Sequence, residues 1–315
     1  MKKLNVLLYR NLGEHDLRQI ANEFPDIAFT MCATPEKAAP LLPETDVVFG
    51  NIPAALLPGA GRLRWLQIVS TGIDEYVSLG NSGIVVTTAH GIHARIIAEH
   101  LLMSVLWFAR GMPFFRQAQA ESRWERNPAI PSLLERNTIG LVGCGAIARE
   151  FLRVIEPFKA NIIAADINTS VTPPGVSEVM PPSEISRLLS LSDHVLVMLP
   201  LTPDTRNILG ARQLEAVKQG ACLHNVARGG LVDEAKLLEL LKARRIAGAA
   251  IDVFENEPLP KDHPFWGMDN VLVTPHIAGH SRELGSLVLD RFKTNLRRFI
   301  KGEEVSPIAN FARGY

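Results

Sequence analysis

The sequence predicts a doubly wound α/β protein built from two domains. The chain has 315 residues, more than a single hydrophobic core usually covers. Short apolar runs alternate with helical patterns from end to end, and that alternation marks a sheet with helices packed on its faces. The runs are rich in Val, Ile, Leu and Ala with little polar alternation, as expected of parallel strands covered on both sides.

In the first third, strands are expected over residues 4–9, 27–32, 46–50, 65–69 and 84–87, with helical or turn segments between them. The opening MKKLNVLLYRN is basic and then apolar. Its apolar run is broken by Asn5 and stops at Arg10 with no small-residue cleavage site nearby, so it reads as a first strand rather than a signal peptide. Residues 94–110 read as one long, mostly apolar helix able to bridge two lobes. Further strands are expected over 138–142, 161–165, 194–199, 221–226, 248–253 and 271–274. Segment 233–243, DEAKLLELLKA, has helical spacing and a charged face. Residues 282–300 are helical again and follow the last strand, so they are expected to return to the first lobe. There is no repeat at a solenoid period, no low-complexity tract and no long flexible linker.

Composition excludes several classes of function. Lys plus Arg and Asp plus Glu both number 33, so the formal charge is zero. No basic excess points to nucleic acid or an anionic membrane as partner. No apolar run is long enough to span a bilayer. Cys32, Cys144 and Cys222 are scattered without a CxxC pair, which fits a reducing compartment and a cytoplasmic protein, and gives neither a disulfide framework nor a zinc knuckle.

The middle block opens on a strand running into Gly143-Cys-Gly145-Ala146-Ile147-Ala148, with a helical pattern after it. The first glycine permits a tight turn, the second lets backbone approach a pyrophosphate, and a small third residue keeps helix and strand in contact. The N–H groups where the helix opens, at Ala146 and Ile147, and the positive end of its dipole suit phosphate oxygens. Glycine turns between strand and helix are common, so the specific signal is an acid at the end of the next strand. Asp166 is 23 residues beyond Gly143 in that position. Its carboxylate can accept hydrogen bonds from an adenosine ribose and would repel a 2′-phosphate, and Ile167-Asn168 offers no arginine to bind one. NAD is therefore favoured over NADP.

Arg228, Glu257 and His276 each follow a strand of this block. Ligands of open parallel sheets sit outside the carboxyl ends of the strands, so the three are expected to share a crevice beside the nicotinamide. Together they suit reduction of a 2-oxo acid. Arg228 can clamp the carboxylate through its planar fork of donors. His276 can exchange the proton. Glu257 can fix the tautomer of the ring and favour its protonated form. Each residue also has a plainer reading: Arg228 binding carbonyls at a helix start, Glu257 as a loop acid before Pro258, His276 as a satisfied strand-end histidine. Asp252 meets either the nicotinamide side or a neighbouring loop.

The stretches GLVGCGAIAR, LPLTPDTRNIL, LHNVARGGLVDEAKLLELL, AGAAIDVFENEPL and VLVTPHIAGHS together resemble the D-isomer-specific 2-hydroxyacid dehydrogenases, with weaker echoes in VSTGIDEY and IAEHLL. The resemblance implies a Rossmann dinucleotide-binding domain, here 99–282, inserted into a discontinuous flavodoxin-like catalytic domain, 1–98 and 283–315, and a homodimer. It implies Arg228, Glu257 and His276 as catalytic residues, and backbone around Thr71, Gly72 and Ile73 at the substrate carboxylate. Pro200 and Thr202 are implied near the adenosine, Val226 and Asp252 near the nicotinamide. Glyoxylate, hydroxypyruvate or phosphoglycerate are the implied substrates, with D stereochemistry.

Two departures stand out. His224 occupies a position usually apolar in the family, and TAHGIHARIIAEH lacks the Asn and Pro often seen before the long helix. His90, His93 and His100 form no i, i+4 zinc pair, and the family needs no metal. Trp124 is either a surface aromatic or a residue reaching toward a partner subunit. The chain closes at Tyr315 soon after the last helix, so an appended regulatory domain is not expected. Alternatives within reach of the same scaffold are a phosphite-type dehydrogenase and a corepressor-like protein that binds NADH without turnover. Formate enzymes usually lack the glutamate, which Glu257 supplies here.

Overall fold

Parallel strands need long crossovers, and the segments between the predicted strands are long enough for helices. The computed structural model describes residues 3–126 and 131–311; residues 1–2 and 312–315 of the expected catalytic domain and 127–130 of the inserted one lie outside the described residues. In chain order the elements are β1 (Leu4–Tyr9), α1 (Glu14–Glu23), β2 (Ile27–Cys32), α2 (Pro35–Ala38), β3 (Val47–Phe49), β4 (Trp65–Gln67), β5 (Val85–Thr87), α3 (Ala94–Ala109), α4 (Met112–Ala120), β6 (Thr138–Val142), α5 (Ala146–Ile155), β7 (Asn161–Ala165), β8 (Glu178–Met180), α6 (Ile185–Leu191), β9 (His194–Val197), α7 (Ala211–Glu215), β10 (Cys222–Asn225), α8 (Glu234–Lys242), β11 (Gly248–Ile251), β12 (Val271–Val273) and α9 (Leu284–Lys301), with short 3-10 turns among them. They form two units, one of Met1–Ile92 with Arg282–Tyr315, the other His93–Ser281.

The first unit holds a five-stranded parallel sheet in the order β2-β1-β3-β4-β5, the flavodoxin-like order. Its last helix, α9, belongs to this unit by packing. Phe292 stacks on Phe49 with centroids 4.2 Å apart and on Trp65 at 5.3 Å. A buried polar chain adds direction to that contact. Trp65 Nε1 donates to Thr87 Oγ1 at 2.8 Å, and Thr87 Oγ1 donates to Gln67 Oε1 at 2.8 Å. Asn295 Nδ2 from α9 donates to the same Gln67 oxygen at 2.9 Å. Leaving any of these groups unpaired would cost about 1–3 kcal/mol.

The second unit holds a seven-stranded sheet ordered β12-β11-β10-β9-β6-β7-β8, every pair parallel. Strand order reverses between β6 and β9, which makes their carboxyl ends the switch point where such sheets bind ligands. β8 has no counterpart in the sequence reading. It is a three-residue edge strand, Glu-Val-Met, formed by pairing with β7, and carries no apolar run of its own. The expected strands over 194–199 and 248–253 end earlier, at Val197 and Ile251; their last residues leave the ladder as the loops that carry candidate site residues.

The long apolar segment becomes α3 within the second unit, lying on β10 and α5. Its inner face carries Ser104 and Phe108. A Cβ on Gly248 would fall 2.3 Å from the Phe108 ring, so the glycine lets the helix come close. His224, on β10, turns to this helix. Ser104 Oγ donates to Leu101 O at 2.9 Å, so the 2.8 Å contact between Ser104 Oγ and His224 Nδ1 has the ring as donor. His224 Nε2 then accepts from His194 Nδ1, 3.1 Å away. Both rings are buried, and burial pushes their basicity down, that of His194 to about 4.

Candidate active site

The glycine loop follows β6. Gly143 has φ of +97°, and a Cβ there would meet Leu199 Cδ2 at 2.8 Å, so both the turn and the packing demand glycine. Gly145 stands before α5 in extended conformation with no side-chain cap on the helix. A Cβ on Gly145 would meet nothing within 4 Å; this glycine keeps the approach to the N–H groups of Ala146 and Ile147 open. Ala148 is fully buried and sets the close helix–strand contact. The donor set and the clear approach fit the pyrophosphate of a dinucleotide.

Asp166 follows β7 and reaches back to the same loop. Its Oδ2 accepts the Cys144 N–H at 2.7 Å, and its Oδ1 accepts the Asn168 N–H at 2.9 Å. Burial, and then the Asp166 charge, push the Cys144 thiol up, so Cys144 is a protonated spacer in the loop. After β9, Thr205 Oγ1 donates to Pro200 O at 2.6 Å and accepts the Thr202 N–H at 2.8 Å. Pro200 and Thr202 thus stand on a braced turn. Val226 is buried in the core beneath.

The registers pair Asn225 with Ile251 and Ile251 with Val273. Three neighbouring strands therefore stop at one level, and the loops of Arg228, Glu257 and His276 leave side by side. Asn225 shapes the first: its Nδ2 donates to Arg228 O at 3.0 Å and its Oδ1 accepts the Ala227 N–H at 3.1 Å. Arg228 is half-buried, and its Nη1 donates to Ala227 O at 2.7 Å. The next residue, Gly229, packs directly on the backbone of the second loop.

Glu257 and His276 are brought into contact. His276 Nδ1 donates to Glu257 Oε2 at 2.7 Å, and Glu257 Oε1 accepts the Phe254 N–H at 3.0 Å. Both carboxylate oxygens are thereby oriented, and the pair lies at the solvent-exposed edge. His276 has φ of +53°, a conformation uncommon for a residue with a side chain. Asp252 holds it there. Its carboxylate accepts from Thr274 Oγ1 at 2.5 Å and from the N–H groups of Ile277 and Ala278 at 2.9 Å each, and its carbonyl accepts the His276 N–H at 2.8 Å. Of the two readings for Asp252, the structure displays the bond to a neighbouring loop. That the loop is the one carrying His276 follows from β12 lying next to β11.

In the first unit, Thr71, Gly72 and Ile73 follow β4. Ser70 Oγ donates to Gly72 O at 3.0 Å, and Ile73 is fully buried, which anchors the partly exposed backbone before it. His93 Nδ1 lies 3.0 Å from Gly279 O, and no group of three or more His, Cys, Asp or Glu side chains among the described residues converges as metal ligands would.

The family model described as D-isomer specific 2-hydroxyacid dehydrogenase, NAD binding domain, matches residues 102–278, more than half of the chain. The chain belongs to this family. D-3-phosphoglycerate dehydrogenase from Archaeoglobus fulgidus is 34% identical over 238 residues, covering 74% of this chain and 44% of that protein. This chain spans 56% of the corresponding Methanocaldococcus jannaschii protein, so it covers about half the length of these relatives. Glyoxylate reductase from Thermofilum pendens is 32% identical over 266 residues, 82% of this chain and 78% of that one. A crystal structure of a D-isomer specific 2-hydroxyacid dehydrogenase from Xanthobacter autotrophicus, in complex with NADPH and MES, superposes with a TM-score of 0.84 at 28% identity, covering 99% of this chain and 100% of that one.

Proposed function

We propose that the protein is an NAD(H)-dependent oxidoreductase that interconverts a small D-2-hydroxy acid and its 2-oxo acid. The observation that carries this reading is the 2.7 Å contact between His276 Nδ1 and Glu257 Oε2 in a sheet whose switch point bears the dinucleotide loop. Bound NADH supplies the hydride for the carbonyl carbon. The protein orients the reactants and handles the proton and charge. Glu257 accepts the hydrogen bond from Nδ1–H, which leaves the Nε2–H of the protonated His276 ring to give its proton to the carbonyl oxygen. The imidazolium that serves as acid is stabilised by the adjacent carboxylate. Arg228 clamps the substrate carboxylate and polarises the carbonyl. Backbone around Thr71, Gly72 and Ile73 is assigned to substrate carboxylate binding on the family resemblance. In the oxidising direction His276 takes the hydroxyl proton.

Pro200 and Thr202 are assigned to the adenosine and Val226 and Asp252 to the nicotinamide side. NAD is preferred in this reading because Asp166 presents a carboxylate where a 2′-phosphate would lie, and residues 167–170 carry no cation. The relative from X. autotrophicus, with NADPH bound, sets the alternative that kinetics must exclude. Substrates of the phosphoglycerate and glyoxylate types are supported by the named relatives, and hydroxypyruvate is included on the family resemblance. A homodimer is part of the proposal, supported by Trp124, which is 91% exposed beside α4. A cytoplasmic setting is supported by three free cysteines, and no helix among the described residues is long and apolar enough to cross a membrane. Initial rates over a panel of 2-oxo acids, each with NADH and with NADPH, test the reading. Turnover of at least one acid with NADH preferred is expected; preference for NADPH would overturn the coenzyme assignment.

A further inference from the structure

A second carboxylate holds the loop that carries Glu257. Glu234 opens α8, and its Oε1 accepts the Glu255 N–H at 2.6 Å. Glu255 is two residues before Glu257, in the short loop after β11. That loop is now held at three places: Phe254 N–H on Glu257 Oε1 at 3.0 Å, Glu255 N–H on Glu234, and the backbone of Gly229 against Phe254 and Glu255. The Glu234 carboxylate is half-buried and taken up by a neighbouring loop rather than by the first turn of its own helix, where Asp233 already accepts the Lys236 N–H at 2.9 Å.

The charged side chains that act on Glu234 from the loop after β11 are both acids. From the loop after β11 it faces Glu255 and Glu257, and Glu257 holds His276. On its own helix, Lys236 is engaged elsewhere, with Glu239 at 2.9 Å and Glu215 at 3.4 Å. In the loop after β10, Arg228 donates to Ala227 O. Burial first, then the charges of Glu255 and Glu257, push the Glu234 carboxyl up.

We propose that Glu234 is a positioning residue for the acid/base pair: it fixes the Glu255–Glu257 loop through the Glu255 N–H, and its charge strengthens the hold of Glu257 on the protonated His276 ring. The proposal rests on His276 being the acid. A carboxylate behind a carboxylate adds negative potential at the imidazolium, and the bond to Glu255 prevents the repelled Glu257 from swinging away.

Glu234→Gln separates the two effects, because the amide oxygen still accepts the Glu255 N–H while the charge is gone. Two readouts are needed: the NMR titration of the His276 imidazole in the unliganded protein, and the pH dependence of kcat/KM for the best 2-oxo acid with NADH. In Glu234→Gln both curves move to lower pH by roughly half a unit, with kcat within about threefold of wild type. Glu234→Ala shows the same displacement and a further loss of kcat of about tenfold or more, because the loop has lost its tether. Curves for Glu234→Gln that overlie wild type, or move to higher pH, overturn the proposal and reduce Glu234 to a loop tether. The Gln variant decides even where the Ala variant is unstable. Should the wild type turn over no 2-oxo acid, the functional reading fails on its own, and the NMR titration still decides whether Glu234 acts on the ring.

Discussion

A Cβ on Gly229 would lie 2.0 Å from the carbonyl carbon of Phe254, so the loop carrying Arg228 and the loop carrying Glu257 touch backbone to backbone. No side chain fits between them. Gly229→Ala therefore forces the guanidinium away from the Glu257–His276 pair without removing a side-chain functional group. Displacements of the order of 1 Å cost about a hundredfold in rate. We expect kcat/KM of Gly229→Ala to fall by roughly that factor while NADH affinity, measured by fluorescence titration, stays within a few-fold. Full activity in a folded Gly229→Ala protein would mean the two loops need not be in register.

Arg228 itself is predicted to matter for substrate and not for coenzyme. It follows β10, whereas the glycine loop proposed to hold the coenzyme phosphates follows β6. Removing one well-placed donor to a developing charge costs roughly a hundred- to a thousandfold. Arg228→Ala should lose at least that in kcat/KM, with added guanidinium tested for rescue. A matching loss of NADH affinity would count against the clamp role.

Much of this arrangement was legible in the sequence, for identifiable reasons. Parallel strands buried on both faces leave unbroken apolar runs, so β1, β2, β6 and β7 occur at the expected residues. The glycine loop was legible because Gly143 and Ala148 answer to backbone geometry and close packing, which few other residues satisfy. Three features were not legible. β8 is made by its neighbour rather than by its own composition. A neighbouring loop was one of the readings of Asp252, but that it is the His276 loop depends on strand adjacency. His224 was visible as an oddity in an apolar run, but its partners are 120 and 30 residues away, on α3 and β9, and no local pattern joins them.

That histidine pair gives a prediction about acid stability. His194, lowered to about 4 by burial, and His224, lowered further, bind fewer protons when folded than when unfolded. Their contribution to stability is present above the unfolded value near 6.5 and is lost as pH falls from there through about 4. His194 alone corresponds to about 3 kcal/mol across that window. Hydrogen exchange of the β9 and β10 amides, followed from pH 7 to 4.5 after correction for intrinsic rates, should show protection falling with acid. A His194→Gln variant should show a shallower fall. Protection that is flat over this range would mean that the rings take up protons inside the fold at little cost.

In the proposed reaction His276, oriented by Glu257, delivers the proton to a 2-oxo acid beside bound NADH. Single-turnover oxidation of enzyme-bound NADH on mixing with the best 2-oxo acid tests it most directly, comparing wild type with His276→Gln. A positioned general acid contributes about a hundred- to ten-thousandfold. The single-turnover rate of His276→Gln is expected to be lower by at least a hundredfold, with NADH still bound and the wild-type product of D configuration. A His276→Gln rate equal to wild type, or wild-type enzyme that binds NADH yet oxidises it with no 2-oxo acid, would contradict it.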